Sequence, residues 1–161
     1  MKYARFVALL GAAACTLAIA AQAPSLKSPD KVKDALRILA YVQADMASKL
    51  PNKAYNRLAH ENDEFQEAAP ALTDAIAGEP ATFRARVDAQ LKRAQAAAKR
   101  VAEISAGNDD ARITAAVAAV AAALKPLNEM FPEALRPVPG QLGTGPGRRG
   151  AGAGGPPADL R

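Results

Sequence analysis

The only histidine of the chain, His60, opens the most polar stretch of the sequence, which continues to Glu67. On a helix, Asp63, Glu64 and Glu67 share one side with His60, because residues three, four and seven positions apart face the same way. Imidazole and carboxylate groups bind divalent metals, and the thioether of Met46 suits copper. We therefore identify His60, Glu64, Glu67 and Met46 as a candidate metal site. The competing interpretation is a solvated outer helix face.

Residue patterns that carry known catalytic chemistry are absent from the sequence. It contains no H-E-x-x-H motif, no paired Glu-x-x-His and no cysteine cluster, and no Ser or Thr is paired with His60 by spacing. The glycines of residues 143–150 follow no strand and precede no helix, unlike a phosphate-binding loop. We expect a protein that is not an enzyme and has no cofactor. The alternative is a protein that binds copper or non-covalent haem.

Residues 1–23 have the pattern of a signal peptide. A positively charged start precedes an uncharged apolar run over residues 6–20, and A-x-A sequences end at Ala20 and at Ala23. We expect cleavage after Ala20 or Ala23 and a location in the periplasm or outside the cell. The run is shorter than the roughly 20 residues of a membrane span, so we expect none after processing. The alternatives are an uncleaved membrane anchor, which the short run disfavours, and a lipid attached to Cys15, which lies in this run.

Four later segments have apolar residues at steps of three and four, which indicates amphipathic helices. The first begins at Ser28-Pro29-Asp30 and ends at Pro51-Asn52, the second runs from about Lys53 to Ala77, the third from Pro80 to about Ala106, and the fourth from its N-cap Asn108 to Pro132. Pro70 and Pro126 are expected to kink or divide their helices. Gly78 suits the left-handed position after a helix.

The inward-facing side of each helix follows from the same spacing. The second helix has one polar residue, Asn62, on this side. The predicted inward positions are Val32, Leu36, Leu39, Val42, Met46, Leu50, Tyr55, Leu58, Asn62, Phe65, Ala69, Leu72, Ile76, Phe83, Val87, Leu91, Ala94, Ala98, Val101, Ser105, Ile113, Val117, Val120, Leu124, Leu127 and Phe131. We predict an all-α fold, an up-down-up-down four-helix bundle over residues 24–135. Residues 136–161 contain eight of the eleven glycines and are predicted to be a disordered tail.

The charge of the chain is balanced in this predicted bundle. Residues 24–135 carry 15 basic and 15 acidic side chains, so the formal net charge of +5 comes from the two termini. A neutral body is not typical of a nucleic-acid-binding protein, and we expect no such partner. Arg86, Arg93 and Arg100 form a basic stripe on the third helix, next to the acidic second helix. We interpret this as complementary charge between neighbours, and the alternative is a surface for a partner.

The fourth helix resembles the last helix of exported four-helix-bundle cytochromes, the cytochrome c-prime type and the related soluble b-type. There, a glycine turn precedes an Ala-rich helix that ends in C-x-x-C-H. Here Leu124 and Leu127 stand at the cysteine positions and Asn128 at that of the haem-ligating histidine. The first helix, with Met46, is loosely similar to the opening helix of those proteins. The resemblance implies the bundle fold and a haem-free relative.

Together, these features predict an exported bundle that is not an enzyme and acts by binding or scaffolding. The alternative function is metal or haem binding through His60 with Met46 or the nearby carboxylates. The helix faces also allow a homodimer.

Overall fold

The computed structural model describes residues 26–140. The predicted signal peptide, residues 1–23, and the part of the predicted tail from 141 to 161 therefore lie outside the described residues. Within residues 26–140 the chain forms four α-helices and no strand, which confirms the all-α prediction. The helices are α1 (Pro29–Ser48), α2 (Leu58–Ala75), α3 (Ala81–Ser105) and α4 (Asp110–Glu129), with 3₁₀ turns at Tyr55–Arg57 and Glu133–Leu135.

The sequence predicts the start of α1 correctly but places the start of α2 too early. α1 begins as expected, with Ser28 at the N-cap position and Pro29 in the first helical position. α2 begins later than expected, because the backbone turns at Lys53, with a φ of 51°, and then forms the 3₁₀ turn. α2 continues through Pro70 and α4 through Pro126, so neither proline divides its helix.

The turn before α4 corrects a second prediction. The N-cap is Asp109, whose Oδ1 accepts a hydrogen bond from the Arg112 backbone N–H at 3.1 Å. Asn108 precedes the cap and has a φ of 53°, a left-handed conformation that asparagine tolerates better than most residues. Gly78 does not have the left-handed conformation predicted for it. The cap thus forms one residue after its predicted position, whereas no residue near Gly78 adopts a left-handed conformation.

Consecutive helices pack against each other, and α4 returns to contact α1. The side chains of Gln66 and Gln95 contact each other, and Thr73 contacts Asp88. Residue numbers thus rise along α2 while they fall along α3, so these two helices are antiparallel.

The core lies between the four helices and is almost entirely apolar. Its largest buried side chains are Phe65 and Phe131. The ring of Phe131 meets that of Phe83 edge-on at 5.7 Å. The predicted inward positions are buried, apart from Leu50 and Phe83, which are half-buried against the core, and Asn62.

Asn62 is the incorrect member of the predicted inward set. It is half-buried, and Glu61 occupies the buried position instead, with 4% of its surface exposed. The inward residues of α2 step by three from Leu58 to Glu61 and then by four to Phe65, which follows the 3.6-residue period of a helix. The predicted inward positions instead step by four from Leu58 to Asn62 and then by three to Phe65.

Candidate functional site

The most unusual charged group of the described residues lies where the end of α1 meets the start of α2. Asp45 lies in the last turn of α1 and Lys49 is the C-cap residue that follows the helix; Lys49 Nζ lies 2.8 Å from Asp45 Oδ1. The same Nζ lies 3.5 Å from Oε1 of Glu61, in the first turn of α2. Ser48 Oγ donates to Asp45 Oδ1 at 3.0 Å. We call Asp45, Lys49 and Glu61 the carboxyl–lysine cluster.

Glu61 is the buried member of the carboxyl–lysine cluster. Its Oε2 is buried and has no hydrogen-bond partner within residues 26–140. Burial raises the pKa of Glu61 above its ordinary value, and the nearby charge of Asp45 raises it further. The positive charge of Lys49 opposes this shift without cancelling it. Protonation of Glu61 is therefore easier in the folded protein than in water.

The other two members of the cluster keep their charges. Burial by itself raises the pKa of Asp45, but hydrogen bonds from Lys49 and Ser48 outweigh burial and lower it. The hydrogen bond to Asp45 raises the pKa of Lys49. The cluster thus combines a close ion pair with a neighbouring carboxyl group whose pKa is raised by burial, and it joins the end of α1 to α2.

The structure brings together only part of the predicted metal site. His60 Nε2 lies 3.2 Å from Glu64 Oε1, and the His60 side chain is 73% exposed. Glu67 is also exposed, on the outer side of α2. Met46 is fully buried in the core. Within residues 26–140, no group of three or more His, Cys, Asp and Glu side chains is arranged to hold a metal ion.

A second polar contact joins the α1–α2 loop to the start of α4. The Tyr55 hydroxyl donates to Asp110 Oδ1 at 2.9 Å, and Lys53 pairs with the other carboxylate oxygen. These two partners lower the pKa of Asp110, with Lys53 the larger cause. Desolvation and the hydrogen bond to Asp110 raise the pKa of Tyr55. The Tyr55 side chain is buried with the core, so this contact holds a core residue against the start of α4.

Amide side chains make the closest polar contacts between α2 and α3, and Thr73 Oγ1 also donates to Asp88 Oδ1 at 3.5 Å. Gln66 Nε2 donates to the Gln95 carbonyl at 3.1 Å and to Asn62 Oδ1 at 3.0 Å, and Gln95 Nε2 donates back to Gln66 Oε1. No ion pair joins α2 to α3 in the part of the chain that the structure describes. The complementary charge that the sequence suggested between these helices is therefore not used to hold them together. An open groove of about 460 Å³ follows this contact, lined by Asn62, Gln66, Lys92, Gln95, Ala96 and Lys99.

A second groove lies between α1 and α4, with a volume of about 450 Å³. The chain after α4 borders it, because Arg136 Nε donates to the Phe131 carbonyl at 2.9 Å. Arg136, the first residue of the predicted tail, thus lies against the end of α4. Ala40, Gln43, Ala44 and Ala121 line the groove, and the charged residues Lys125, Glu129 and Arg136 also border it.

From the sequence we predicted that His60 and Glu64 share one side of α2, and their side chains are in contact. We did not predict the carboxyl–lysine cluster. The signal was present in part, since Asp45 and Lys49 have the four-residue spacing of a helical ion pair. Nothing in the sequence shows that α2 places Glu61 against that pair.

Comparisons with known proteins add no relative. A scan against protein-family models gives no match, and searches of curated proteins and of solved structures give no significant match. Among the helices of residues 26–140, none combines the length and the apolar character that a membrane span requires.

Proposed function

We propose that this protein is exported and processed, and that it is a non-enzymatic binding or scaffolding protein built on an up-down-up-down four-helix bundle. The observation that carries the proposal is the charge of two neighbouring helices. α2 has five acidic residues and no Lys or Arg, whereas α3 has six basic and two acidic residues. The outer sides of α2 and α3 together form what we call the two-sign face.

The charges of the two-sign face are available to a partner. Asp63 and Glu67 of α2 and Lys92 and Lys99 of α3 are all exposed. No ion pair joins α2 to α3 within the described residues, so none of these charges is paired across the contact between the two helices. Exposed charges of this kind favour association with a surface of complementary potential.

Site-specific photo-crosslinking tests the binding function. A photoreactive residue replaces Ala96, which is exposed between Lys92 and Lys99, in the chain expressed in its own host. We expect a covalent adduct that disappears when Lys92→Glu and Lys99→Glu are introduced. The matched control places the same photoreactive residue at the exposed Lys33 of α1, where no adduct of that size is expected. An adduct that forms equally at both positions, or at neither, contradicts the proposal.

Export has a separate test. The protein recovered from the periplasm or the medium is analysed by intact mass and N-terminal sequencing, and we expect it to begin at Ala21 or Pro24. An unprocessed chain that begins at Met1 and remains inside the cell contradicts export. That result would not contradict the binding function, which the crosslinking experiment tests separately.

The second candidate function is metal or haem binding, which the contact between His60 Nε2 and Glu64 Oε1 favours. Absorbance and metal analysis of the protein from its own host test it. Stoichiometric copper or a Soret band that His60→Ala removes supports this function and contradicts the first proposal. Met46→Leu is a second variant to compare. Met46 is buried in the core, so loss of copper in this variant would mean that Met46 leaves the core to bind the metal. The haem-free interpretation of the cytochrome resemblance predicts no Soret band.

A further inference from the structure

Three acidic residues form a ridge on the outer side of α2. Helical residues are about 100° apart around the axis, so Asp63, Glu67 and Asp74 fall within about 40° of one another. They lie on the side of α2 opposite the buried Leu58 and Phe65. All three are exposed, and none of the ion pairs within the described residues includes them. We call these three residues the acidic ridge.

The arginines of α3 form a second ridge, on the side of that helix that faces α4. Gln95 contacts α2, and Arg93 lies about 200° from Gln95 around the axis. Arg86 and Arg100 are seven residues before and after Arg93, which is about two helical turns, so the three arginines share one side. Arg100 also borders a shallow pocket together with Arg112 of α4. We call Arg86, Arg93 and Arg100 the arginine ridge.

Little opposes the charge of the arginine ridge. Its three side chains are exposed, and Arg86 and Arg93 form no ion pair within the described residues. Arg100 pairs with Glu103 of the same helix at 3.1 Å. The neighbouring α4 has no charged side chain over residues 113–124, and its exposed side chains there are alanines and one threonine. Such small side chains allow a helix of another molecule to approach closely.

We propose that the acidic ridge of one copy of this chain docks against the arginine ridge of a second copy. Glu67 and Asp74 are seven residues apart, as are neighbouring members of the arginine ridge, so the same distance of about 10.5 Å separates the charges on both sides. Two ion pairs can therefore form at once between helices that lie side by side, which is the complementarity that specifies an interface. The inference goes beyond the proposed function, because the arginine ridge lies on the α4 side of α3, away from Lys92 and Lys99.

The contact is heterologous, because the two ridges are different surfaces of one molecule. A pair of copies keeps one unoccupied ridge of each sign, so further copies can add until a ring closes. Exposed ion pairs contribute little individually. We therefore expect weak association that salt weakens, with a dissociation constant on the order of 0.1 mM at low salt.

Sedimentation equilibrium of the chain expressed from its full coding sequence tests the contact, in whichever processed form the host produces. At low salt we expect the average mass of the wild type to rise beyond that of a dimer as the concentration increases. In about 0.5 M NaCl we expect a dissociation constant at least about tenfold higher.

Two variants each neutralise one ridge. The acid-neutral variant is Asp63→Asn/Glu67→Gln/Asp74→Asn, and the arginine-neutral variant is Arg86→Gln/Arg93→Gln/Arg100→Gln. Each variant alone is expected to be monomeric, because one half of the contact is missing. The matched control is Lys31→Gln/Lys33→Gln on the exposed side of α1, which should associate as the wild type does.

The mixture of the two variants gives the sharpest result. The acid-neutral variant keeps the arginine ridge, and the arginine-neutral variant keeps the acidic ridge. An equimolar mixture should therefore form a one-to-one dimer, which also shows that both variants are folded. This dimer cannot grow, because the ridges at both of its ends are neutral.

Several results overturn the inference: a wild type that is monomeric at every concentration, a wild type that stops at a dimer, a single variant that still associates, or a mixture that stays monomeric or grows beyond a dimer. A monomeric wild type that still gives the Ala96 adduct leaves the proposed binding function in place and contradicts only the contact between ridges. Association in the expected pattern without any Ala96 adduct supports the ridges and contradicts the proposed binding at Lys92 and Lys99.

Discussion

Substitution of Glu61 by Gln tests whether burial or the contact with Lys49 decides the preferred state of this side chain. Glutamine keeps the size of glutamate and removes its charge. Its amide group can donate to the Asp45 carboxylate, where the neutral form of Glu61 would place its proton. If burial dominates, the neutral side chain suits this position better than the charged one.

The expected size of the effect follows from the surroundings of Glu61 Oε2. A buried polar atom without a partner costs about 1–3 kcal/mol, and the Oε2 of Glu61 is such an atom. The attraction between Glu61 Oε1 and Lys49 Nζ, which are 3.5 Å apart, offsets part of this cost. We therefore expect Glu61→Gln to raise the free energy of unfolding by about 1 kcal/mol at pH 7. For a domain of this size, the melting temperature rises by about 4 °C.

The difference in stability between Glu61→Gln and the wild type should depend on pH in a predictable direction. Because the folded-state pKa of Glu61 lies above its ordinary value of 4.5, its protonation stabilises the fold. This contribution is complete below about pH 4.5 and is lost as pH rises through the folded-state pKa. Asp45 acts in the opposite direction: its lowered pKa gives stability above about pH 3.8 that is lost as pH falls through the folded-state pKa. The advantage of Glu61→Gln should therefore be near zero at pH 4 and largest at pH 7.

Urea denaturation followed by circular dichroism, at several pH values between about 4 and 8, measures these differences. Glu67→Gln is the matched control, because Glu67 lies on the exposed side of the same helix, and we expect it to change stability by less than about 0.5 kcal/mol. The reasoning is refuted if Glu61→Gln is less stable than the wild type at pH 7 and shows the same pH dependence. That result would mean that the ion pair with Lys49 outweighs burial.

Three further changes have expected outcomes that urea denaturation also measures. Lys49→Met leaves the two carboxyl groups of the cluster without their cation and should destabilise the fold by about 2 kcal/mol at pH 7. Asp109→Ala removes the N-cap of α4 and should cost about 1 kcal/mol, whereas Asn108→Gly should stabilise by about 0.5 kcal/mol because glycine accepts a positive φ. Phe65→Ala leaves a large space in the core and should cost about 3–5 kcal/mol.

Each of these changes has a control or a contradicting result. Lys33→Met removes an exposed lysine from the same helix as Lys49 and should have little effect. If Asp109→Ala leaves stability unchanged while Asn108→Gly lowers it, the cap is assigned to the wrong residue. Val138→Ala, at a side chain that is 53% exposed, should leave stability nearly unchanged, in contrast to Phe65→Ala.

The sequence by itself determined the helices and nearly all of the core. Apolar residues at steps of three and four can be buried together only on a helix, so positions such as Leu36, Leu91 and Leu124 were predicted from spacing alone. The start of α1 was also predictable, because the fixed φ of Pro29 suits the first helical position, although the Ser28 side chain makes no capping hydrogen bond. These features depend on residues close together in the chain.

Only the tertiary structure decided which polar groups meet. Asn62 and Glu61 are neighbours in sequence, and a rotation of α2 by one residue exchanges them, so a local pattern does not distinguish the two. The packing of α1 on α2 places Glu61, and not Asn62, against Lys49, and burial there changes the pKa of the carboxyl group. Similarly, the opposite charges of α2 and α3 suggested attraction between the helices, but amide contacts between Gln66 and Gln95 join them and leave the charges at the surface. Contacts between distant segments depend on the relative rotation of packed helices, and a spacing rule within one helix contains no information about that rotation.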